Sequence, residues 1–387
     1  MGCCSFALRG LVAAAFGVLT TACAASRPLP HGDPAAVLEA GRRHGVSLSD
    51  PLALPPDVLA EVREKVGGRE DPLVRIHRLD DFLRDGGAGP FAYAYDEHLD
   101  AEQAYRQRRG DCLAYAMLFA SLARSLDVPV HFLHARSVGL RFERGGSFFT
   151  SSHVAVAYGT GPAGTIIDFT DGRITRTRSS AMDAASNPTT RLLEPISDAA
   201  IVALHYSNVA VTRMVQGRLD EAGRMFEALI DAEPDVAELY NNYGVLLNRQ
   251  GRHREALDWL ERGLTAFPSY PPLYTNGVQA ARAAGKTARA TEIEARGRAV
   301  AEHDPSFVFA RGMYLYERKS YAYAAAQFER AHGAQPDSPL ILAWLTRAYA
   351  RAGDRQRARE AFAETRRLAP HGTDVRELAM QFPDLAQ

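Results

Sequence analysis

One cysteine, one histidine and one aspartate follow one another at a spacing that suits a nucleophile with its base and orienting acid. Cys112 follows a Gly-Asp pair, His153 lies in a Ser-His-Val-Ala-Val run, and Asp168 interrupts the apolar run Ile-Ile-Asp-Phe. In such a set a thiolate attacks a carbonyl carbon, an imidazole moves the proton, and a carboxylate fixes the imidazole tautomer. The pattern predicts acyl-transfer chemistry.

The thiol of Cys112 is predicted to lie at the first turn of an apolar helix over 112–126. A helix N-terminus stabilises a thiolate through its dipole and its unpaired backbone N–H groups. The charge of Asp111 opposes this effect, so the cysteine needs a basic partner, for which His153 is the candidate. The alternative is that Cys112 is an inert, small apolar residue of the core.

Helical and strand patterns define the elements that must position these residues. Helical periodicity covers about 34–44, 56–65, 71–85 and 99–108, and strand-like alternation covers 129–137, 152–158 and 165–170. Helices followed by an antiparallel sheet indicate an α+β arrangement. His153 shares a strand face with two alanines, which leaves room for the cysteine helix on that face. Asp168 is expected to pair with an imidazole, with Asp171 as its rival.

These residues together resemble the transglutaminase-like superfamily, which has a papain-like cysteine-enzyme fold. The resemblance rests on Gly110-Asp111-Cys112 with the helix after it, on Asp127-Val128-Pro129, on Ser152-His153-Val154 and on Ile167-Asp168. It implies an α+β domain over 34–172, with Cys112 as nucleophile, His153 as base and Asp168 as orienting acid. Asp127 replaces the usual glycine. No side chain clearly completes the oxyanion hole, for which Gln103 and Gln107 are weak candidates.

The second half of the chain is periodic. Units of 34 residues begin at 203, 237, 271, 305 and 339, and the twentieth place of each unit is alanine. The fifteenth place is glycine except at Lys319, and the thirty-second is proline except at Glu302. Alanine lets two helices approach, glycine turns the chain, and proline ends the second helix.

This period resembles the tetratricopeptide repeat, a helical hairpin that stacks into an all-α superhelix. It implies five repeats over 203–372, a capping helix over 373–387, and a linker over 173–202. The sixth place of the first three units is asparagine, which in similar repeats faces the concave groove and binds the backbone of an extended partner: Asn208, Asn242 and Asn276. A solvated groove without a ligand is an equal alternative. Four arginines are expected to make part of this surface basic: Arg249, Arg282, Arg347 and Arg351.

The N-terminus has the form of an export signal. Residues 1–23 contain one positive charge at Arg9, a short apolar stretch and small residues up to Cys23. The last five residues resemble a bacterial lipobox, which implies lipidation of Cys23, a tether over 24–33 and, with Ala24 next, the outer membrane of a Gram-negative envelope. Ordinary cleavage after Ala24, giving a periplasmic or secreted protein, is the alternative. Phe6 argues against dual acylation at residues 2–4.

Composition limits the remaining function classes. The chain has 387 residues, 46% of them hydrophobic, and a formal net charge of −1. This charge offers no field for nucleic acid, and the histidines show no metal-ligand spacing, so neither nucleic acid, metal nor other cofactor is expected. The sequence thus predicts an envelope lipoprotein with a cysteine hydrolase, deamidase or transglutaminase-type domain that acts on a peptide or protein, and a groove that binds a protein partner. The alternative is an inactive interaction scaffold.

Overall fold

The computed structural model describes most of the chain from residue 32 onward. The described ranges are 32–68, 70–85, 91–94, 97–144, 147–159, 165–170, 173–178, 193–303, 308–309, 311–312, 315–316, 318–336, 338–369 and 373–385. The predicted signal 1–23, its lipidation residue Cys23 and most of the tether 24–33 lie outside them. Among the described residues, no helix combines the length and apolar character that crossing a bilayer requires.

Five helices and two very short strands precede the main sheet. They are α1 (Pro34–Arg43), α2 (Pro56–Val66), α3 (Pro72–Asp85), β1 (Ala92–Tyr93), α4 (Ala101–Gln107), β2 (Arg109–Gly110) and α5 (Cys112–Ser125). The starts of three of these helices follow from local capping, since Asp33 caps α1, Asp100 caps α4 and Asp111 caps α5. Helix α5 is buried on nearly every side, as its apolar sequence predicts.

A five-stranded antiparallel sheet follows α5. Its strands are β3 (Val130–Arg144), β4 (Ser147–Tyr158), β5 (Thr165–Thr170), β6 (Arg173–Arg178) and β7 (Leu193–Ile196), in the spatial order β6-β5-β4-β3-β7. The irregular linker expected over 173–202 is therefore wrong in its described part. Strand β6 pairs with β5, and β7 pairs with β3. Both are edge strands, which form backbone hydrogen bonds with one neighbouring strand only. An edge strand does not require a strong alternation of apolar residues, so the sequence pattern did not reveal it.

The repeat region consists of helical hairpins with the predicted spacing. Its helices are α6 (Asp198–Val215), α7 (Leu219–Ala232), α8 (Ala237–Arg249), α9 (His253–Ala266), α10 (Pro271–Ala283), α11 (Thr287–His303), α12 (Tyr321–Ala334), α13 (Pro339–Ala352) and α14 (Arg355–Leu368), followed by the terminal helix α15 (Thr373–Gln381). The fifteenth-place residues turn the chain in the left-handed region, and Lys319 does so with φ 60° although it is not a glycine.

The helix α5 covers one face of the sheet. Its Arg124 lies over the ring of Phe132 at 5.1 Å from the centroid, and Phe132 pairs with Val156 on β4. Val154 and Val156 belong to the same apolar core as α5, whereas Ala155 and Ala157 belong to a separate small cluster. The expectation that the cysteine helix packs on the alanine face is therefore wrong, because the larger valine side chains fill the space under α5.

The N-terminal region and the first three repeats share one hydrophobic core. This core extends from Val37 on α1 through α5 and the sheet to Ile293 on α11. Most described buried residues between Ala324 and Leu385 form a second cluster with the terminal helix, and a small third cluster joins Val308, Ala331 and Ile341. The main division of the described core thus lies after the third repeat, beyond the expected 173–202 linker.

Polar contacts join the N-terminal region to the first repeat. The Tyr206 hydroxyl on α6 donates to the backbone oxygen of Ser49 at 2.6 Å and accepts from the Ser49 N–H at 2.9 Å. The Arg124 guanidinium at the end of α5 binds both oxygens of the Asp198 carboxylate at 2.6 and 2.9 Å. These bidentate and backbone bonds fix the orientation of α6 against α5.

Candidate functional site

Cys112 is the first residue of α5, as the sequence predicts, and it is the free cysteine of the described chain. The residue is buried, with 7% of its surface exposed. Asp111 immediately before it caps the helix, because its Oδ1 accepts from Ala114 N at 2.8 Å. The fold therefore presents the thiol at a capped, positively polarised helix end.

Gly110 lets the strand β2 enter this helix closely. A Cβ atom at this position would lie 2.8 Å from the Ala114 Cβ and 3.5 Å from the ring of Phe91. Real Cβ atoms do not approach another carbon so closely, so a side chain at 110 would displace the first turn of α5. The glycine before the cysteine is thus a packing requirement of the site.

The backbone of α5 supplies candidate oxyanion donors. Of its first N–H groups, that of Ala114 is taken by the Asp111 side chain and that of Tyr115 by the Asp111 carbonyl. The N–H groups of Cys112 and Leu113 are then the donors that the helix end offers. The weak candidates Gln103 and Gln107 are both exposed on α4, and Gln103 accepts from Asp100 N in a capping box. The structure therefore favours the backbone for this role.

His153 lies on β4, one of the strands that contact α5. The side chain is half-buried, its Nε2 atom is shielded from solvent, and its backbone pairs with Ala135 on β3. The β3–β4 register shifts immediately beyond this pair, between Ala135 and Leu140. By the alternation of a strand, His153 shares the face of Ala155 and Ala157, which is opposite to the valine face under α5.

The helix and strand lengths set the level of Cys112 along the sheet. Arg124 Nη2 donates to Val130 O at 3.1 Å, which anchors the end of α5 at the start of β3. A helix rises about 1.5 Å and a strand about 3.3 Å per residue. For a helix lying along β3, the Cys112 end is therefore level with a residue about five or six places after Val130, in the region of Ala135 and its partner His153.

Asp168 pairs through its backbone with Thr175 of β6, next to the described β4–β5 register that joins Val156 to Ile167. Its side chain lies outside the described residues, and so does its rival Asp171 altogether. The role of Asp168 as orienting acid stays a prediction from the sequence.

Two histidines near Asp111, the residue before the cysteine, were missed in the sequence. His98 Nδ1 lies 3.5 Å from Asp111 Oδ2, and both side chains are largely buried. His205, on the first repeat helix, is buried, and this burial lowers its pKa to about 4, with Asp111 raising the pKa and His98 lowering it. No local pattern could show these contacts, because His205 is almost a hundred residues from Asp111 in the chain.

The asparagines predicted to bind a partner lie inside the repeat stack. Asn242 Nδ2 donates to Ser207 Oγ at 3.1 Å, and Asn276 Nδ2 donates to Asn241 Oδ1 at 2.7 Å. Asn242 and Asn276 are buried, and their expected exposure in an open groove is wrong because they join neighbouring repeats. Asn208 is half-buried, and its role stays a prediction.

The sheet lies against the inner helices of the first three repeats. Strand β3 contacts α6, β4 contacts α10, and His134 Nε2 on β3 lies 3.3 Å from Glu238 Oε1 on α8, with both side chains buried. Beside this pair is a cavity of about 260 Å³ between sheet and repeats, whose wall includes Glu233. Burial, and next the charge of Asp235, raise the pKa of Glu233. The chain's own sheet thus occupies the surface expected to form the groove.

Arginines that were expected to make a basic surface have partners within the chain. Arg282 pairs with Glu294 at 2.8 Å, Arg347 pairs with Glu377 at 3.0 Å, and Arg351 lies over the ring of Phe382. Arg347 is itself buried. These contacts tie the arginines to the repeats and the terminal helix, so the expected basic surface is much reduced.

Comparison with known proteins finds a family match within each region. Residues 60–154 match the family model of the transglutaminase-like superfamily, and residues 210–271 match a tetratricopeptide repeat model. Solved structures similar to part of the chain are tetratricopeptide proteins. PilF of Pseudomonas aeruginosa is 20% identical over 48% of this chain and 86% of its own, with a TM-score of 0.26.

Two further structures match in the same way. YrrB is 19% identical over 46% of this chain and 92% of its own, with a TM-score of 0.25. The protein MamA is 16% identical over 46% of this chain and 94% of its own, with a TM-score of 0.24. No curated protein sequence matches the chain.

Proposed function

Because the chain carries a transglutaminase-like domain at 60–154 joined to tetratricopeptide repeats, we propose that it is a cysteine-dependent acyl-transfer enzyme acting on a peptide or protein. The observation that carries the proposal is Cys112 at the first turn of a buried, capped helix that packs on the strand of His153. A buried cysteine of purely structural role has no need of a helix N-terminus, whereas a nucleophile gains from it.

The proposed reaction has two steps. The Cys112 thiolate attacks an amide carbonyl carbon, and the developing oxyanion is held by backbone N–H groups at the start of α5. The C–N bond breaks as the His153 imidazolium gives its proton to the leaving nitrogen, which leaves a thioester. Water or a primary amine then attacks the thioester carbonyl, His153 takes its proton, and the thiolate is released. Asp168 is assigned the orientation of His153.

A second candidate function is an inactive interaction scaffold. It is favoured by the burial of Cys112 and by the valine face of β4, rather than the histidine face, lying under α5. Tetratricopeptide repeats bind proteins in general. The surface for a partner would then lie away from the inner helices that the sheet covers.

Thiol labelling of the purified mature protein separates the two candidates. An ordinary cysteine has a pKa of about 8.5, and a paired cysteine at a helix start has a pKa of roughly 3.5 to 7.5. We expect iodoacetamide to alkylate Cys112 rapidly at about pH 6 in the wild type and much more slowly in His153→Ala. Asp168→Asn should alter alkylation less than His153→Ala but still impair turnover of an acyl substrate.

The burial of Cys112 requires a control for access. The unfolded protein in urea measures the reactivity of the same thiol without its surroundings. A native Cys112 that is unreactive at every pH, with normal alkylation in urea, would remove the nucleophile and leave the scaffold as the function.

We further propose that the protein is anchored to a bacterial envelope membrane by a lipid on Cys23. The proposal rests on the lipobox-like run from Leu19 to Cys23 after an apolar stretch. We expect the protein to fractionate with membranes and to be released by Cys23→Ala. Mass spectrometry that finds an unmodified N-terminus at Ala25 would instead establish ordinary signal cleavage.

A further inference from the structure

Asp111, the residue before the proposed nucleophile, carries a negative charge that disfavours ionisation of the Cys112 thiol. Asp111 caps α5 through Oδ1, and its carboxylate is adjacent in the chain to Cys112 and largely buried. A negative charge beside a thiolate raises the free energy of the ionised thiol, and burial strengthens this repulsion by excluding water. An active Cys112 therefore requires a group that offsets Asp111.

His98 occupies the position for that group. Its Nδ1 lies 3.5 Å from Asp111 Oδ2, the oxygen that does not cap the helix. Other charged or titratable groups are arranged around the pair. Glu97 beside His98 is matched by Arg109, and the buried His205 approaches from α6. The Asp111 carboxylate thus lies 3.5 Å from an imidazole of the loop before α4 and within electrostatic range of one from the repeat region.

We propose that His98 is a positioning residue for the thiolate of Cys112. Its protonated ring forms an ion pair with Asp111 Oδ2 at 3.5 Å and offsets the carboxylate charge, so that Asp111 can cap the helix without suppressing ionisation of the thiol. The buried His205 of α6 interacts electrostatically with both Asp111 and His98, which brings the first repeat close to the site. This inference rests on the proposed function of Cys112.

Four forms of the full mature protein test the inference: wild type, His98→Gln, Asp111→Asn and the double variant. Asparagine caps a helix as well as aspartate does, so Asp111→Asn removes the charge and keeps the cap. The readout is the rate of Cys112 alkylation against pH. His77→Gln, a change at an exposed histidine on α3, is the matched control and should leave the profile unchanged.

We expect His98→Gln to slow alkylation about three- to tenfold on the acid side of the profile, and Asp111→Asn to accelerate it by a similar factor. In the Asp111→Asn background, His98→Gln should change the rate less than about twofold, because the charge it offsets is gone. A structural role alone would give His98→Gln the same effect in both backgrounds, and that result would overturn the inference.

Two controls separate the inference from the proposed function and from misfolding. If wild-type Cys112 reacts in a His153-dependent manner but His98→Gln leaves the profile unchanged, the inference fails and the proposed function stands. If wild-type Cys112 is inert at every pH, both fail. Should His98→Gln unfold, as seen by circular dichroism, His98→Asn replaces it in the same comparison, and an equal effect on alkylation in both backgrounds would again contradict the inference.

Discussion

The described helices of the first three repeats and of the last two have similar lengths, but different parts of the chain cover them. The inner helices of the first three repeats contact the sheet and share the core of α5. The fifth repeat packs instead against the terminal helix α15 in a separate core. A repeat pattern determines how the units stack on one another. It does not determine which part of the chain covers their inner surface.

This difference changes how the chain divides. A boundary drawn where the repeat pattern starts would cut through a continuous core, between α5 and the buried face of α6. The described cores instead separate after α11, whose residues are largely exposed. The cysteine region and three repeats therefore constitute one packing unit, and the comparison can be tested at that boundary.

The largest effect is expected from truncation. A fragment of residues 32–196 loses α6, and with it the Tyr206 and Asp198 contacts and the apolar surface of the first repeat, so it should lack cooperative unfolding. A fragment of residues 32–303 keeps the shared core and should unfold cooperatively. Urea titration followed by circular dichroism measures both, and equal cooperativity in the two fragments would show that the sheet region is independent.

The entry to the cysteine helix should be the most sensitive single position. Gly110→Ala places a Cβ 2.8 Å from that of Ala114 and should destabilise the protein by roughly 2 to 3 kcal/mol, the usual cost of overpacking. Gly333→Ala is the matched control, since that helical glycine has open space around its Cβ position and should stabilise slightly. Urea unfolding gives both values. A tolerated Gly110→Ala would mean that the start of α5 is loosely packed.

Acid should destabilise the shared core through His205. Its pKa is about 4 in the folded protein because of burial, and about 6.5 in an unfolded chain. Below the unfolded value the unfolded state binds the extra proton, so stability falls as pH falls from about 6.5 towards the folded pKa. Between pH 7 and 5 the loss from this group is about 2 kcal/mol, and His205→Gln should remove that part. An unchanged pH dependence of urea unfolding would argue against its burial.

The buried asparagines that form hydrogen bonds between the first three repeats should contribute to the stability of the protein more than to binding of a partner. Asn276→Ala takes the donor from Asn241 inside the stack and should cost about 1 to 2 kcal/mol of unfolding free energy. Asn208→Ala, at the half-buried equivalent position, should cost much less. Equal, small costs for both variants would restore the asparagines to a partner-binding surface.

The smallest effect on stability is expected at a turn of the fourth repeat. Lys319 turns the chain with φ 60° where the other described units use glycine. Lys319→Gly should stabilise the protein by about 0.5 to 1 kcal/mol, since glycine adopts this conformation without steric cost. Thermal unfolding should show a small rise. A fall in stability would mean that the Lys319 side chain makes a contact that outweighs its backbone strain.

The sequence by itself determined the features that depend on neighbours along the chain. The repeat helices and their left-handed turns follow from alanine, glycine and proline at fixed places in each unit. Cys112 at the start of a buried helix follows from Gly110, the capping Asp111 and an apolar run. These local preferences act within a few residues, so a pattern in the sequence is enough to reveal them.

Only the tertiary structure decided which surfaces meet. The valine face of β4 lies under α5, the edge strands β6 and β7 complete the sheet, and the sheet covers the inner repeat helices. The approach of His98 to Asp111, with His205 from a repeat helix, belongs to the same class. Such contacts depend on the shape and charge of two distant segments together. The periodicity of one segment alone therefore does not predict which other segment it contacts.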